Sequence, residues 1–178
     1  MYRSLSHWRV GSLSHWEVLM PDMLVRLYDL PCCDSLLANL KEQGISIQRA
    51  MAPDKSRVLS WIGEHSSLSA QGEADVCFAR HPISLFLAVK EKQILGYACY
   101  HATALDFFGP TRVLDSMQGK GIGKALLLRS LKALSDEGYA YAIIGGVGPA
   151  AFYEKCVAAT LIEGSTPGIY KDFLGART

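Results

Sequence analysis

The sequence has almost no net charge: 18 Lys and Arg stand against 17 Asp and Glu, leaving +1 over 178 residues. No global basic field is available to draw nucleic acid or an anionic membrane, so neither is an expected partner; only a local cationic site is left open. Long hydrophobic runs are also missing. The uncharged stretch Gly138 to Tyr153 is too short for a membrane span and is broken by Gly145, Gly146, Gly148 and Pro149. The N-terminus has no apolar signal core. Cysteines are few and lack framework spacing: Cys32, Cys33, Cys77, Cys99 and Cys156 make an odd set, and adjacent Cys32 and Cys33 suit neither a dithiol redox pair nor a zinc knuckle. These read as reduced thiols of a cytoplasmic protein, with Cys77 and Cys99 as small buried residues of strand-like runs. No metal is expected. His7 and His15 belong to a duplicated SerLeuSerHisTrp at 4–8 and 12–16, with no acidic or thiol group beside them, and two copies are too few for a solenoid.

What is present is a chain 49% hydrophobic and long enough to bury its own core. Residues 1–22 read as a flexible extension, 23–44 as a strand–helix addition, and 45–178 as the main domain. Leu24–Leu30 is a strand candidate; Pro31–Gln43 is a helix with Leu36, Leu37 and Leu40 on one face and Gly44 as its stop. Ile45–Ala50 alternates as a strand. Asp54 caps a helix to about His65 that turns Val58, Leu59 and Ile62 inward, with His65 as a C-terminal helix cation. Ser66–Glu73 is polar and reads as a loop. Ser84–Val89 and Ile94–His101 form a hairpin, Phe107-Phe108-Gly109-Pro110 interrupts, and Thr111–Leu114 is a short strand. A helix runs from the glycines to about Glu137, followed by the strand Tyr139–Ile144, the helix Pro149–Val157 and late strands at Ala159–Ile162 and Gly168–Phe173. One strand–helix–strand crossover over 111–144 indicates an α/β or α+β sheet domain.

The stretch Gln118-Gly-Lys-Gly-Ile-Gly-Lys124 opens the strongest helix with residues that a helix start disfavours. A helix N-terminus exposes several backbone N–H groups, normally capped by Ser, Thr, Asp or Asn and flanked by acids. Here Gly119, Lys120, Gly121, Ile122, Gly123 and Lys124 offer no side-chain acceptor, and two lysines lie at the positive end of the dipole. An anion removes both penalties: glycines let it approach, amides donate to it and lysines balance it. A hydrated turn with solvated lysines is the plain alternative. The magnesium-nucleotide pattern fails, because position 118 is Gln and Ala125 follows Lys124; the dinucleotide pattern fails on glycine spacing.

What fits is Gln/Arg-x-x-Gly-x-Gly/Ala between a strand and a helix, met by Gln118, Gly121 and Gly123. Here the chain resembles the GCN5-related N-acetyltransferase (GNAT) superfamily, roughly from Ile45 onward, with AlaAlaPheTyrGluLys at 150–155 as a second matching phrase. The resemblance implies a mixed, mostly antiparallel sheet with splayed middle strands flanked by helices, acetyl-CoA as cosubstrate, and transfer of its acetyl group to a primary amine of a small molecule or protein. It implies that residues 118–124 take the pyrophosphate, that Val113 and Leu114 lie along the thioester with the Val113 amide on the acetyl carbonyl, and that Tyr153 is the general acid. Asp115, one residue past that stretch, is the first candidate for general base; His101 and Asp106 are others, as is a water chain. Members of such splayed-sheet folds often pair, so a homodimer is compatible with it. The chain departs from the family pattern at Gly146, Pro149, Ala158 and Asp115, none of which touches the glycine turn. A non-catalytic acyl-CoA-binding domain is the second reading.

Overall fold

The computed structural model describes residues 20–171 and Leu174. The duplicated SerLeuSerHisTrp and its histidines therefore lie outside the described residues. In chain order the elements are β1 (Met23–Arg26), α1 (Asp34–Glu42), β2 (Ser46–Arg49), α2 (Lys55–His65), α3 (Leu68–Phe78), β3 (Leu85–Lys90), β4 (Gln93–Tyr100), β5 (Phe107–Val113), α4 (Ile122–Asp136), β6 (Tyr141–Ile144), α5 (Ala150–Val157) and β7 (Thr160–Leu161). One seven-stranded sheet has the order β2-β3-β4-β5-β6-β1-β7. Every neighbouring pair is antiparallel except β5 and β6, the two ends of the expected crossover through α4. This is the mixed, mostly antiparallel sheet with helices on both faces that the sequence implied.

Strand alternation divides the core between the two faces. On β3, Phe86 and Ala88 join the cluster under α4, α1 and α5, while Leu85 and Leu87 join the cluster under α2 and α3. Helix α4 is buried over most of its circumference, with Leu126, Leu127, Leu131 and Leu134 fully enclosed. Each such leucine contributes about 2 kcal/mol by burial, which makes α4 the element that the sheet is built around. The β3–β4 hairpin closes through Glu91 and Lys92, both at positive φ (49° and 63°), as a two-residue turn requires.

Four expectations are corrected. Ser66–Glu73 is not a loop: α3 covers most of it, starting at Ser67, whose hydroxyl accepts from the Ala70 amide at 3.1 Å. The helix escaped notice because its buried stripe consists of the small residues Ala70, Ala74 and Cys77. Cys77 is thus helical, not in a strand. Phe107–Pro110 is no interruption but the first half of β5. Gly168–Tyr170 is a 3-10 turn where a strand was expected, and Phe173 lies outside the described residues. The place beside β6 that such a strand could take is filled by β1, all four of whose residues pair with β6. Two boundaries also shift: β1 stops at Arg26 where a 3-10 turn begins, and α1 starts at Asp34. Among the described residues no helix is long and apolar enough to cross a membrane.

Gly96 on β4 faces Val113 on β5, where an added Cβ would stand 2.7 Å from the Arg112 carbonyl oxygen and 3.1 Å from the Val113 Cα. Backbone atoms cannot rotate away. Gly96→Ala is expected to lower unfolding free energy in urea by about 2–3 kcal/mol. Gly72→Ala, mid-helix on α3 with nothing within 4 Å of the added atom, is expected to raise it by up to about 1 kcal/mol in the same assay.

Candidate active site

The parallel pairing of β5 and β6 covers only Phe107 with Ile143 and Phe108 with Ile144. Past Phe108, β5 carries Gly109 and Pro110 opposite the single residue Cys99 of β4, a bulge that bends the strand. Proline also has no N–H to give a neighbouring strand. The two parallel strands therefore part, and β5 runs on to Val113 paired only with β4. The Leu114 amide donates to the Leu95 carbonyl at 2.9 Å. By the alternation of an antiparallel ladder, the Val113 amide one residue earlier points the other way, into the opening.

Helix α4 begins at the same end of the sheet. Gly121 is its N-cap at φ +85°, with no side-chain cap and no acid in the first turn; Gly119 also lies at positive φ, +77°. The Ala125 amide donates to the Gly121 carbonyl at 3.0 Å, so the amides of Ile122, Gly123 and Lys124 have no acceptor within the helix. Ile122 is buried and anchors the first turn, Lys120 is exposed and Lys124 half-buried. A Cβ built on Gly123 would lie 3.8 Å from both Phe152 Cζ and Val113 Cγ2, so the glycine turn, the end of β5 and α5 meet at this residue. At Gly121 an added Cβ would come within 2.8 Å of Leu36 Cδ1 on α1. Donors without acceptors, backbone open to close approach and two nearby lysines together suit an extended anion.

Asp115 and Gln118 bound the turn that links β5 to α4. Asp115 Oδ1 accepts from Gln118 Nε2 at 2.9 Å and from Arg112 Nη2 at 3.1 Å, and its side chain is largely exposed. Tyr153, on α5, is buried, its ring edge-on to Phe108 (6.3 Å between centroids) and to Phe152 (5.1 Å). Its hydroxyl has no hydrogen-bond partner among the described residues. Burial, with a smaller push from Cys156, raises the phenol to about 12, so it holds its proton throughout the physiological range. Cys156, one turn beyond on the same helix, has its thiol pushed up by burial against the pull of Lys124 and Lys155, which leaves it a poor nucleophile.

His101 and Asp106 stand elsewhere. His101 is buried; its Nδ1 accepts from the Asp106 amide at 2.9 Å and its Nε2 donates to Glu137 Oε2 at 2.9 Å. Glu137 ends the 15-residue helix that the glycine turn begins, so this pair lies roughly 20 Å from the turn. The fold brings His101 and Asp106 to each other, not to Val113 or Tyr153. Burial raises the Asp106 carboxyl. Among the described residues, no group of three or more His, Cys, Asp or Glu is placed to hold a metal.

One feature of this end was missed in the sequence. A cleft of about 310 Å³ is lined by Arg57, Trp61 and His65 of α2, Gln93 and Ile94 of β4, and Leu114 at the end of β5. The available signal was spacing: residues 57, 61 and 65 fall on one stripe of α2.

The Tyr153 phenol gives a pH signature. Its folded-state value lies above the ordinary 10, so the buried neutral ring contributes fully below pH 10, and that contribution is lost as the pH rises toward 12. Unfolding free energies of wild type and Tyr153→Phe, measured against pH, are expected to run parallel below pH 10, and above it wild type is expected to fall relative to the variant.

A family model described as Acetyltransferase (GNAT) family matches residues 49–157, more than half of the chain. A search of curated protein sequences returns no match. Among solved structures, the GCN5-related glucosamine N-acetyltransferase region of a fungal multi-domain GH3 beta-N-acetylglucosaminidase superposes with a TM-score of 0.66 at 12% identity, covering 80% of this chain and 19% of that one. A GCN5-related N-acetyltransferase from Sphaerobacter thermophilus gives 0.57 at 17% identity, over 80% of this chain and 48% of that one. One from Kribbella flavida gives 0.53 at 16%, over 79% and 53%. The chain thus spans between a fifth and about half of these proteins' lengths, and at such identities the likeness is one of fold. With the family match over β5, the glycine turn, α4 and α5, it follows that this chain belongs to the GNAT acetyltransferase family.

Proposed function

We propose that this protein transfers the acetyl group of acetyl-CoA to a primary amine of a small molecule or protein, by direct attack of the amine on the thioester. The observation that carries this reading is the convergence of unaccepted amides at the start of α4 with the end of β5 that β6 leaves unpaired. Acetyl-CoA supplies an activated acyl group and, through its pyrophosphate, the anion that the glycine turn lacks. The amides from Gly119 to Lys124 donate to that pyrophosphate, and Lys120 and Lys124 balance its charge. Val113 offers its amide to the acetyl carbonyl, where negative charge develops during attack. Leu114 continues the wall beside it.

Tyr153 is the acid in this scheme. A phenol raised to about 12 keeps its proton until a thiolate forms beside it, and then donates. Asp115 enters as a positioning residue: its Oδ1 accepts from both Gln118 and Arg112 and so ties the start of the glycine turn to the end of β5. The near-neutral surface and unpaired cysteines support a cytoplasmic enzyme acting on a discrete amine, without nucleic acid or membrane as partner.

Calorimetric titration with acetyl-CoA and thiol release over a panel of amines test the reading. Gly121→Glu is expected to abolish acetyl-CoA binding by blocking the turn and repelling the pyrophosphate. Tyr153→Phe is expected to bind it normally and lose about 100-fold in kcat. Tight binding by wild type without turnover on any amine would place the chain with non-catalytic acyl-CoA binders.

A further inference from the structure

We propose that His65 is the general base of the reaction, working from the cleft between α2 and the ends of β4 and β5. This rests on the transferase reading above and adds the residue that reading leaves unfilled. His65 Nδ1 lies 2.9 Å from the carbonyl oxygen of Trp61. A carbonyl only accepts, so Nδ1 carries a hydrogen, and in the neutral imidazole the lone pair is then on Nε2. Nε2 has no partner among the described residues. The ring cannot swing freely: it stacks on the Trp61 indole with centroids 4.3 Å apart and planes at 13°. Trp61 is in turn edge-on to buried Tyr97. The side chain is thus oriented by two contacts to Trp61 and left with one free acceptor, the second-partner arrangement that sets the tautomer of a working histidine.

Placement supplies the other half. His65 and Leu114 line the same cleft, and Leu114 directly follows the residue whose amide points into the β5–β6 opening. Val113 Cγ2 approaches Gly123 on the α4 side; Leu114 packs against the α4-side core and also lines the cleft in which His65 stands. An amine entering through this cleft arrives at the end of β5, beside the residue whose amide takes the acetyl carbonyl in the transferase reading. Besides His65, the charged residue lining the cleft is Arg57; the elements that form it and pack on it also carry Glu64 of α2, Lys92 at the hairpin turn, Tyr97 of β4, Glu73 of α3, and Arg112 and Asp115 at the end of β5. Most are already engaged: Arg57 donates to the Lys92 carbonyl, Glu64 accepts from Ser60, Glu73 from Thr103, Asp115 from Arg112, and Tyr97 donates to Ser66.

In the step itself, the amine nitrogen forms the C–N bond to the acetyl carbon and loses a proton to His65 Nε2. The C–S bond breaks, and the departing sulfur takes the Tyr153 proton. Transfer of the proton from the imidazolium through water to the phenolate restores both groups. Amine and acetyl thioester become amide and thiol, with no other reactant.

The test is His65→Asn, whose side-chain amide can keep the bond to the Trp61 carbonyl while removing the base. We expect an unchanged melting temperature, unchanged acetyl-CoA affinity, a kcat about 100-fold lower, and loss of the acidic limb of the kcat/KM profile, since that limb reports protonation of the base. A kcat within twofold of wild type with the acidic limb intact overturns the proposal while leaving the transferase reading in place. Nitrogen-15 spectra of the wild type read the tautomer without turnover: a bare Nε2 is expected, and a protonated Nε2 with bare Nδ1 overturns the proposal. A wild type inactive on every amine overturns both readings, a pattern distinct from failure of His65 alone.

Discussion

The site depends on one constraint: β5 can pair with β6 for two residues and no further. Gly109 and Pro110 stand opposite Cys99 alone, so the strand bulges; proline removes a donor at the same point. A β5 that stayed in register with β6 would have its Val113 amide consumed by the sheet. Parting instead leaves a backbone donor at the edge of an opening, with Phe108, the last residue paired to β6, edge-on to Tyr153. In the proposed transfer that donor is available because a ladder of hydrogen bonds was left unfinished.

The opening keeps its form because the elements on either side are fixed by burial. Helix α4 is enclosed by the sheet along most of its length, so its first turn cannot retreat from the end of β5. On the far side, β6 is flanked by β1, paired at Met23, Leu24, Val25 and Arg26. Met23 and Val25 are fully buried. The strand that holds β6 in place thus comes from the N-terminal part of the chain, outside the residues that match the family model. Asp22 strengthens this junction, its Oδ1 accepting from the Gly146 amide at 2.9 Å just beyond β6.

Much of this was legible in the sequence, for identifiable reasons. The α4 stripe of leucines, the hairpin and the crossover all carry strong local signals: periodicity, turn position and the succession of strand, helix and strand. What failed were features whose signal is weak or non-local. Helix α3 buries alanines and a cysteine, which hydropathy hardly distinguishes from a loop. Gly109-Pro110 was read as a break because local propensity cannot tell a bulge within a strand from its end; pairing with β4 decides that. His65 was noticed only for its place at a helix terminus; its stack on Trp61 and the cleft it lines arise from tertiary packing.

The same residues explain why the glycine turn tolerates so little change. Gly121 has three demands on it: a left-handed backbone, an unobstructed path for an anion, and room for Leu36, 2.8 Å from where a Cβ would stand. The first two belong to any turn of this type. The third comes from α1, which this chain places directly behind the turn. Leu36 therefore limits how far the turn can move toward α1, and it converts a glycine segment into a supported one. Amides held in place in this way require less ordering when an anion binds. In this protein the turn is thus buttressed by a helix that precedes the residues matching the family model.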